Sequence, residues 1–313
     1  MYENYFNLAA LPFSNTPDSR FFFETEQHRE ALARLEYTVR NRRGFALITG
    51  EIGSGKTMLT RTLLRRLGNS VRAAIVNNTR VNSEQLLRVI CAELKIEIPD
   101  DADKAMILTK IRRFAEANNV QDRTVVIIID EGQCLGIDEF EEVRLLTNLE
   151  NETEKLVQLL ILGQPELKPK LMHPRLAPLI QRIVMYTHLK PMSFEDMTRY
   201  VAFRLVRASK GRPNVDFSRT ALQAIFERSG GVPRVINLVC DNALLTGFAN
   251  DTRFIDSRIV QRAISQMLPD FDGPPPDFLT DEDLQQPALN EETVSDGRRL
   301  QGNESFEDGG RVG

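Results

Sequence analysis

The sequence predicts a doubly wound parallel α/β sheet, followed by a small all-α domain and a disordered acidic tail. Between residues 45 and 190, short apolar runs alternate with longer segments of helical period, which is typical of βα units around a parallel sheet. Strand signals end before Ser193, and only helical periods follow. After Leu268 the chain is acidic and too poor in apolar groups to offset the entropy of folding. We therefore predict three parts: an α/β domain with an N-terminal aromatic arm at 1–190, a helical lid domain at 191–268 and the tail at 269–313.

Each strand of the predicted sheet is a short apolar run. The candidate strands are Phe45–Thr49, Arg72–Val76, Val125–Ile129, Val157–Leu162 and Ile183–Leu189. Helical periods between them predict helices at Lys56–Leu67, at Glu84–Leu94 behind the candidate N-cap Ser83, at Lys104–Glu116, and at Glu139–Glu150 behind Asp138. Beyond the sheet, the same signal predicts helices at Phe194–Ala208, Ser218–Arg228, Val235–Gly247 and Arg258–Met267.

Length and composition narrow the class of protein. A chain of 313 residues with 42% hydrophobic side chains can form two folded units. The longest aliphatic run has only the length of a strand, and the N-terminus lacks a signal-peptide pattern, so we expect a cytoplasmic protein without a membrane span.

The three cysteines lie far apart without a CxxC pair, which argues against a disulfide framework or a zinc site. The tail holds about 12 acidic and about 3 basic side chains, so the remainder is mildly basic.

The segment Gly50-Glu-Ile-Gly-Ser-Gly-Lys-Thr57 fits the P-loop pattern G-x-x-x-x-G-K-[ST], between a predicted strand and a predicted helix. Its glycines let backbone N–H groups turn toward phosphates. Lys56 would bridge the β- and γ-phosphates as a catalytic cation, and the Thr57 hydroxyl would coordinate Mg²⁺. The alternative is a glycine-rich turn with an incidental Lys-Thr pair. The motif predicts that ATP contacts Gly50, Glu51, Ile52, Gly53, Ser54, Gly55, Lys56, Thr57 and Met58.

Asp130 and Glu131 directly follow the aliphatic run Val125–Ile129. A strand buried on both faces of a parallel sheet delivers such a pair to the C-terminal edge, where ligands bind. Asp130 would hold Mg²⁺ through water, and Glu131 would orient and polarise the attacking water. The alternative for this pair is the N-cap of a helix.

Three further polar residues are candidates for contact with phosphate. Gln164 follows the strand Val157–Leu162, where it could sense the γ-phosphate or position water, or serve only as a turn amide. Arg182 precedes the last strand and could reach the γ-phosphate of a neighbouring subunit, or pair with a surface acid. Arg234 lies in the first turn of a helix, an unfavourable place for a cation that a phosphate partner would explain.

Together these motifs resemble the general secretion pathway protein A (ExeA-like) family of AAA+ ATPases over about residues 1–268. The resemblance implies an AAA+ fold, oligomerisation, Gln164 as sensor 1, Arg182 as the arginine finger and Arg234 as sensor 2. The longest members of the family continue into a membrane helix and a periplasmic region, whereas here an acidic tail follows. The resemblance is therefore greater to the shorter, soluble members, which serve pilus assembly or exosortase-linked export. The motifs that carry the resemblance are Tyr5-Phe6, Pro12-Phe13, Pro17-Asp18, Phe21–Phe23, Gly50–Thr57, Asp130-Glu131, Arg144–Asn148, Leu162–Leu167, Gln181-Arg182 and Gly231–Asn237.

The resemblance favours a cytoplasmic ATPase that drives or regulates an envelope secretion, pilus or exopolysaccharide export system through a protein partner, with peripheral attachment to the inner membrane as a variant. The alternative is a DNA-associated ATPase similar to phage MuB that delivers a recombinase or initiator. Basic clusters at 40–43, 61–66 and 112–113 would contact DNA in that case, although such clusters are also common on solvated helix faces. A third hypothesis is a nucleotide-dependent binding module that hardly turns over ATP.

Overall fold

The computed structural model describes residues 1–16, 18–77 and 79–267, and the predicted tail lies outside the described residues. A five-stranded parallel sheet has the order β2-β3-β4-β1-β5. Strand β1 lies between β4 and β5, which both follow it in sequence. The helical connections between the strands therefore lie on both faces of the sheet. The five strands are β1 (Phe45–Gly50), β2 (Val71–Val76), β3 (Thr124–Ile129), β4 (Val157–Gly163) and β5 (Ile183–Leu189).

Helices connect and surround these strands. Before and between them lie α1 (Tyr2–Tyr5), α2 (Glu26–Arg40), α3 (Lys56–Leu67), α4 (Ser83–Leu94), α5 (Lys104–Val120), α6 (Ile137–Leu146), α7 (Leu167–Leu171) and α8 (Ala177–Ile180). After the sheet follow α9 (Phe194–Ala208), α10 (Arg219–Ser229), α11 (Pro233–Ala249) and α12 (Ser257–Ser265). Short 3-10 turns occur at Ser19–Phe21, Gly68–Ser70, Gly132–Cys134 and Pro174–Leu176.

Both faces of the sheet are covered, which confirms the doubly wound prediction. One face packs Leu47 and its neighbours against α4, α5 and α6, whereas the other packs Ile48 against α2 and α3. Burial on both faces explains why β3 and β4 are almost continuously apolar instead of alternating. The parallel arrangement brings the carboxyl ends of β1, β3 and β4 to one edge of the sheet.

The N-terminal arm packs with the helical part of the chain. Phe6 and Phe13 are fully buried in the same apolar core as Val201 of α9 and Leu244 of α11. The Ala9 amide also donates to the Ala208 carbonyl at the end of α9. The division into domains stays a prediction, but these contacts favour assigning the arm to the helical domain instead of the α/β domain.

Several local predictions differ from the structure. The N-cap of α4 is Asn82, not Ser83, because Asn82 and Gln85 form a reciprocal capping box. Helix α6 begins at Ile137 behind Gly136 and ends at Leu146, four residues before the predicted end. The helical part also contains a two-residue parallel pair, β6 (Asp216–Phe217) and β7 (Phe254–Ile255), so it is not purely α-helical.

Within the residues that the structure describes, no helix combines the length and apolar character needed to cross a membrane.

Candidate functional site

The P-loop connects β1 to α3 in a conformation that needs glycine. Gly53 and Gly55 have φ angles of 77° and 97°, in the left-handed region that disfavours other residues. A Cβ at Gly53 would also lie 2.3 Å from the Cβ of Arg234, so the loop and the start of α11 are in direct contact there. Residues 50–57 therefore wrap the N-terminus of α3, which is a favourable place for an anion.

Lys56 reaches back over its own loop. Its Nζ donates to the carbonyl oxygens of Gly50 at 2.6 Å and Glu51 at 2.9 Å. Burial lowers the pKa of Lys56, while the Glu131 and Asp130 carboxylates favour its charged form. A buried ammonium held by carbonyl oxygens can exchange these neutral acceptors for phosphate oxygens without moving far.

Thr57 and Asp130 lie side by side, as a magnesium site of the P-loop type requires. The Thr57 hydroxyl donates to Asp130 Oδ2 at 2.7 Å, across the gap between α3 and the end of β3. Asp130 is buried, and its Oδ1 accepts from the Glu131 amide at 2.9 Å. A hydroxyl and a carboxylate oxygen fit the preference of Mg²⁺ for oxygen ligands, with phosphates and water completing its shell.

Glu131 and Gln164 come together although 33 residues separate them in the sequence. The Gln164 Nε2 donates to Glu131 Oε2 at 3.1 Å, because β3 and β4 are neighbours and end at the same edge. Glu131 has a φ angle of 55°, an uncommon conformation for this residue type that often occurs at functional sites. Its backbone carbonyl accepts from the Thr79 hydroxyl at 3.1 Å.

Lys56, Thr57 and Glu131 line one side of a cleft of about 360 Å³, which we call the P-loop cleft, whereas Asp130 and Gln164 are not among its lining residues. Its walls come from three parts of the chain: the P-loop with Glu131, the N-terminal arm and the helical part that follows the sheet. Among the sequence-predicted residues, it is lined by Ile52, Gly53, Ser54, Gly55, Lys56, Thr57, Met58, Glu131 and Arg234. A cleft of this size, apolar in part and lined by a few convergent polar groups, is typical of a small-molecule site.

Comparisons with known proteins agree with this geometry. A family profile described as an AAA domain matches residues 39–171, which include the P-loop, Asp130 and Glu131. General secretion pathway protein A of Aeromonas hydrophila is 40% identical over 255 residues, covering 82% of this chain and 46% of that protein. The chain belongs to the AAA+ ATPase family. It spans less than half the length of this curated relative.

Two solved structures are similar to this AAA+ chain in fold. The ORC2 protein of Aeropyrum pernix superimposes with a TM-score of 0.61 at 17% identity, over 82% of this chain and 71% of that one. Cdc6p of Pyrobaculum aerophilum gives a TM-score of 0.62 at 17% identity, over 82% and 70%. At this identity the likeness concerns the fold alone.

Arg182 lies far from the P-loop of its own AAA+ chain. Arg182 precedes Ile183, which pairs with Phe45 at the start of β1, whereas the P-loop begins at the other end of β1. Six residues of strand separate these two edges by about 20 Å. Among the described residues, no carboxylate lies within 4 Å of the Arg182 guanidinium.

Sequence reasoning missed the group that holds the arm against the P-loop cleft. Arg204 of α9 is only 6% exposed, and its Nη2 donates to the Ser14 carbonyl at 3.0 Å. Its Nη1 donates to the Tyr200 hydroxyl at 2.6 Å and to Asn237 Oδ1 at 3.1 Å. The sequence does contain a signal for this contact. Arg204 interrupts the apolar face of α9, and a buried charged residue needs a hydrogen-bonding partner.

His28 was also missed, and it lies beneath the P-loop. A Cβ at Gly55 would be 3.5 Å from its Nε2, and its Nδ1 is 2.6 Å from the Thr25 hydroxyl. Burial lowers the pKa of His28, which favours the neutral ring. The three histidines of the chain show no metal-ligand spacing, so nothing in the sequence singles out this one.

Proposed function

We propose that the chain binds Mg·ATP in the P-loop cleft and hydrolyses it to ADP and phosphate. The observation that carries the proposal is the convergence of five groups at one sheet edge. Lys56 and Thr57 start α3, Thr57 contacts Asp130 at 2.7 Å, and Glu131 extends beside them with Gln164 at 3.1 Å. A protein that only binds nucleotide would need Lys56, Thr57 and Asp130. The additional presence of Glu131 and Gln164 favours turnover.

Each residue has a separate task in this proposal. Lys56 exchanges its loop carbonyls for the β- and γ-phosphate oxygens, and the N–H groups of residues 50–58 hold the phosphate chain. Thr57 would hold Mg²⁺ directly and Asp130 would hold it through water, and the ion would supply positive charge that neutralises the charge developing on the phosphates. Glu131 accepts a hydrogen bond from the attacking water, and Gln164 senses the γ-phosphate or positions that water.

Two arginines extend the site beyond the α/β domain. Arg234 contacts Gly53 of the P-loop, so a γ-phosphate bound there would link the loop to the helical domain. Arg182 faces away from its own site, and we propose that it reaches the γ-phosphate of a neighbouring subunit in a homo-oligomer. Both assignments make the helical domain and the subunit boundary sensitive to the nucleotide state.

We propose further that this cycle drives or regulates assembly of an envelope secretion, pilus or exopolysaccharide export system from the cytoplasmic side. The support is the 40% identity to general secretion pathway protein A over most of this chain. The alternative role in DNA delivery draws on Arg61 and Arg65, which are exposed one turn apart on α3.

The experiment that tests this proposal is steady-state phosphate release by the wild-type protein and by Lys56→Ala, with Mg·ATP and with or without duplex DNA. We expect turnover by the wild type and at least about tenfold less by Lys56→Ala, since positioned phosphate-binding cations contribute several kcal/mol to transition-state stabilisation. Equal rates for the two proteins would contradict the proposed site. Stimulation by DNA that disappears at moderate salt would instead favour the DNA-delivery alternative.

A further inference from the structure

We infer that Gln133 is a positioning residue for ATP hydrolysis, which holds Glu131 and the loop of Gln164 in one arrangement. The inference rests on the proposed hydrolysis at the P-loop cleft. Gln133 is two residues beyond Glu131, in the 3-10 turn Gly132–Cys134, and neither the motif nor the family match assigns it a role.

The side-chain amide of Gln133 connects the ends of two strands. Its Nε2 donates to Glu131 Oε2, after β3, and its Oε1 accepts from the backbone N–H of Gln164 at 3.1 Å, after β4. The Gln164 side chain donates to the same Glu131 oxygen at 3.1 Å. The three residues therefore form a closed network, in which moving any one of them breaks at least one hydrogen bond.

The backbone around Gln133 is held by other contacts. The Lys170 Nζ donates to the carbonyl oxygens of Gln133 and Leu135, the latter at 2.8 Å. Close packing against β4 adds to this, since a Cβ at Gly132, the residue before Gln133, would lie 2.5 Å from Ile161 Cγ2. Because the turn has these anchors, its fold does not depend on the Gln133 amide, and the amide is free to act on the Glu131 carboxylate.

A glutamine suits this position because one neutral amide both donates and accepts. A carboxylate at the same position could accept from the Gln164 N–H but could not donate to Glu131. Both amide donors approach Oε2 of Glu131, so Oε1 can accept from the attacking water. Fixing a flexible carboxylate in this way lowers the entropy that must be lost when the reacting atoms align.

The test compares Gln133→Ala and Gln133→Glu with wild type, and uses Cys134→Ala as the control on the same turn. Cys134 is exposed, so its truncation reports what a change of the turn alone does. For both Gln133 variants we expect kcat to fall between about tenfold and about 100-fold, the range produced by small misplacements of reacting groups. The Kd of a fluorescent ATP analogue should change less than about twofold, because Gln133 does not line the cleft. Cys134→Ala should keep both values.

The outcomes of this test distinguish the positioning role of Gln133 from the proposed hydrolysis itself. A Gln133→Ala protein that turns over ATP as fast as wild type, or faster, would overturn the inference. Wild-type turnover by Gln133→Glu would overturn the donor role, since glutamate keeps only the acceptor. A parallel loss of kcat and nucleotide affinity in Gln133→Ala would indicate a merely structural role and also overturn it. A wild-type protein that binds ATP without turnover would instead remove the proposed function, and this inference with it.

Discussion

Replacing Glu131 by glutamine is expected to lower kcat at least about 100-fold, because general-base groups contribute about 10² to 10⁴ in rate. The change keeps the size of the side chain but replaces the carboxylate by an amide, which is a much weaker acceptor for the proton of water. Glu131 lies outside the Thr57–Asp130 pair at 2.7 Å, so metal binding should persist. We expect the Kd for ATP to change less than about twofold. Single-turnover phosphate release and equilibrium titration with a fluorescent ATP analogue measure the two quantities separately.

Asp130→Asn is the matched control for Glu131→Gln, since it makes the same chemical change one residue earlier. It alters the carboxylate that contacts the Thr57 hydroxyl, so it should weaken Mg²⁺-dependent binding as well as turnover. Glu131→Gln and wild-type proteins with equal phosphate release would refute the assignment of the base, and would favour a binding module with little turnover.

Arg182→Ala is expected to lower kcat by about 10³-fold if the residue acts as an arginine finger, since fingers contribute about 10³ to 10⁵. The effect must arise in trans, because Arg182 is at the opposite edge of the sheet from its own P-loop. Mixing Arg182→Ala with Glu131→Gln should therefore restore activity, since a mixed oligomer contains sites with an intact base and an intact neighbouring finger. Phosphate release from the mixture, compared with each variant alone, measures this restoration.

Arg175→Ala is the control for Arg182→Ala. Arg175 is exposed and lies just upstream of the half-buried Arg182, but it pairs with the surface carboxylate of Asp138 at 2.9 Å, an interaction of little expected consequence. A mixture no more active than its components, together with a fully active Arg182→Ala protein, would show that Arg182 is an ordinary surface residue.

The sheet could be predicted from sequence because its signal is local. Strands β1, β3 and β4 are apolar on both faces, and the P-loop pattern joins β1 to α3 at fixed spacing. Helix limits were less accurate, since α4 is capped by Asn82 through a reciprocal contact with Gln85 that competes with the equally plausible Ser83. Helix α2 was missed, although its buried Ala31, Leu32, Leu35 and Val39 recur at helical spacing on one face.

The chemical groups of the site were predictable, whereas their partners were not. Motif spacing indicated Lys56, Asp130 and Glu131, but the contact between Glu131 and Gln164 depends on strand order. Arg204 of α9 contributes to holding the N-terminal arm, and its partner there, the Ser14 carbonyl, lies 190 residues away in sequence. Long-range contacts of this kind leave no periodic signal in one sequence.

Hydrogen–deuterium exchange of the Glu131→Gln protein, with and without Mg·ATP, tests directly whether ATP binds in the P-loop cleft. Bound ATP should slow exchange at residues 50–58, at the first turns of α11 near Arg234 and in the arm around Ser14 and Phe22, which together line the cleft. We expect protection of all three segments, and Lys56→Ala should abolish it. Unchanged exchange at residues 50–58 in saturating Mg·ATP would contradict binding of ATP at this site.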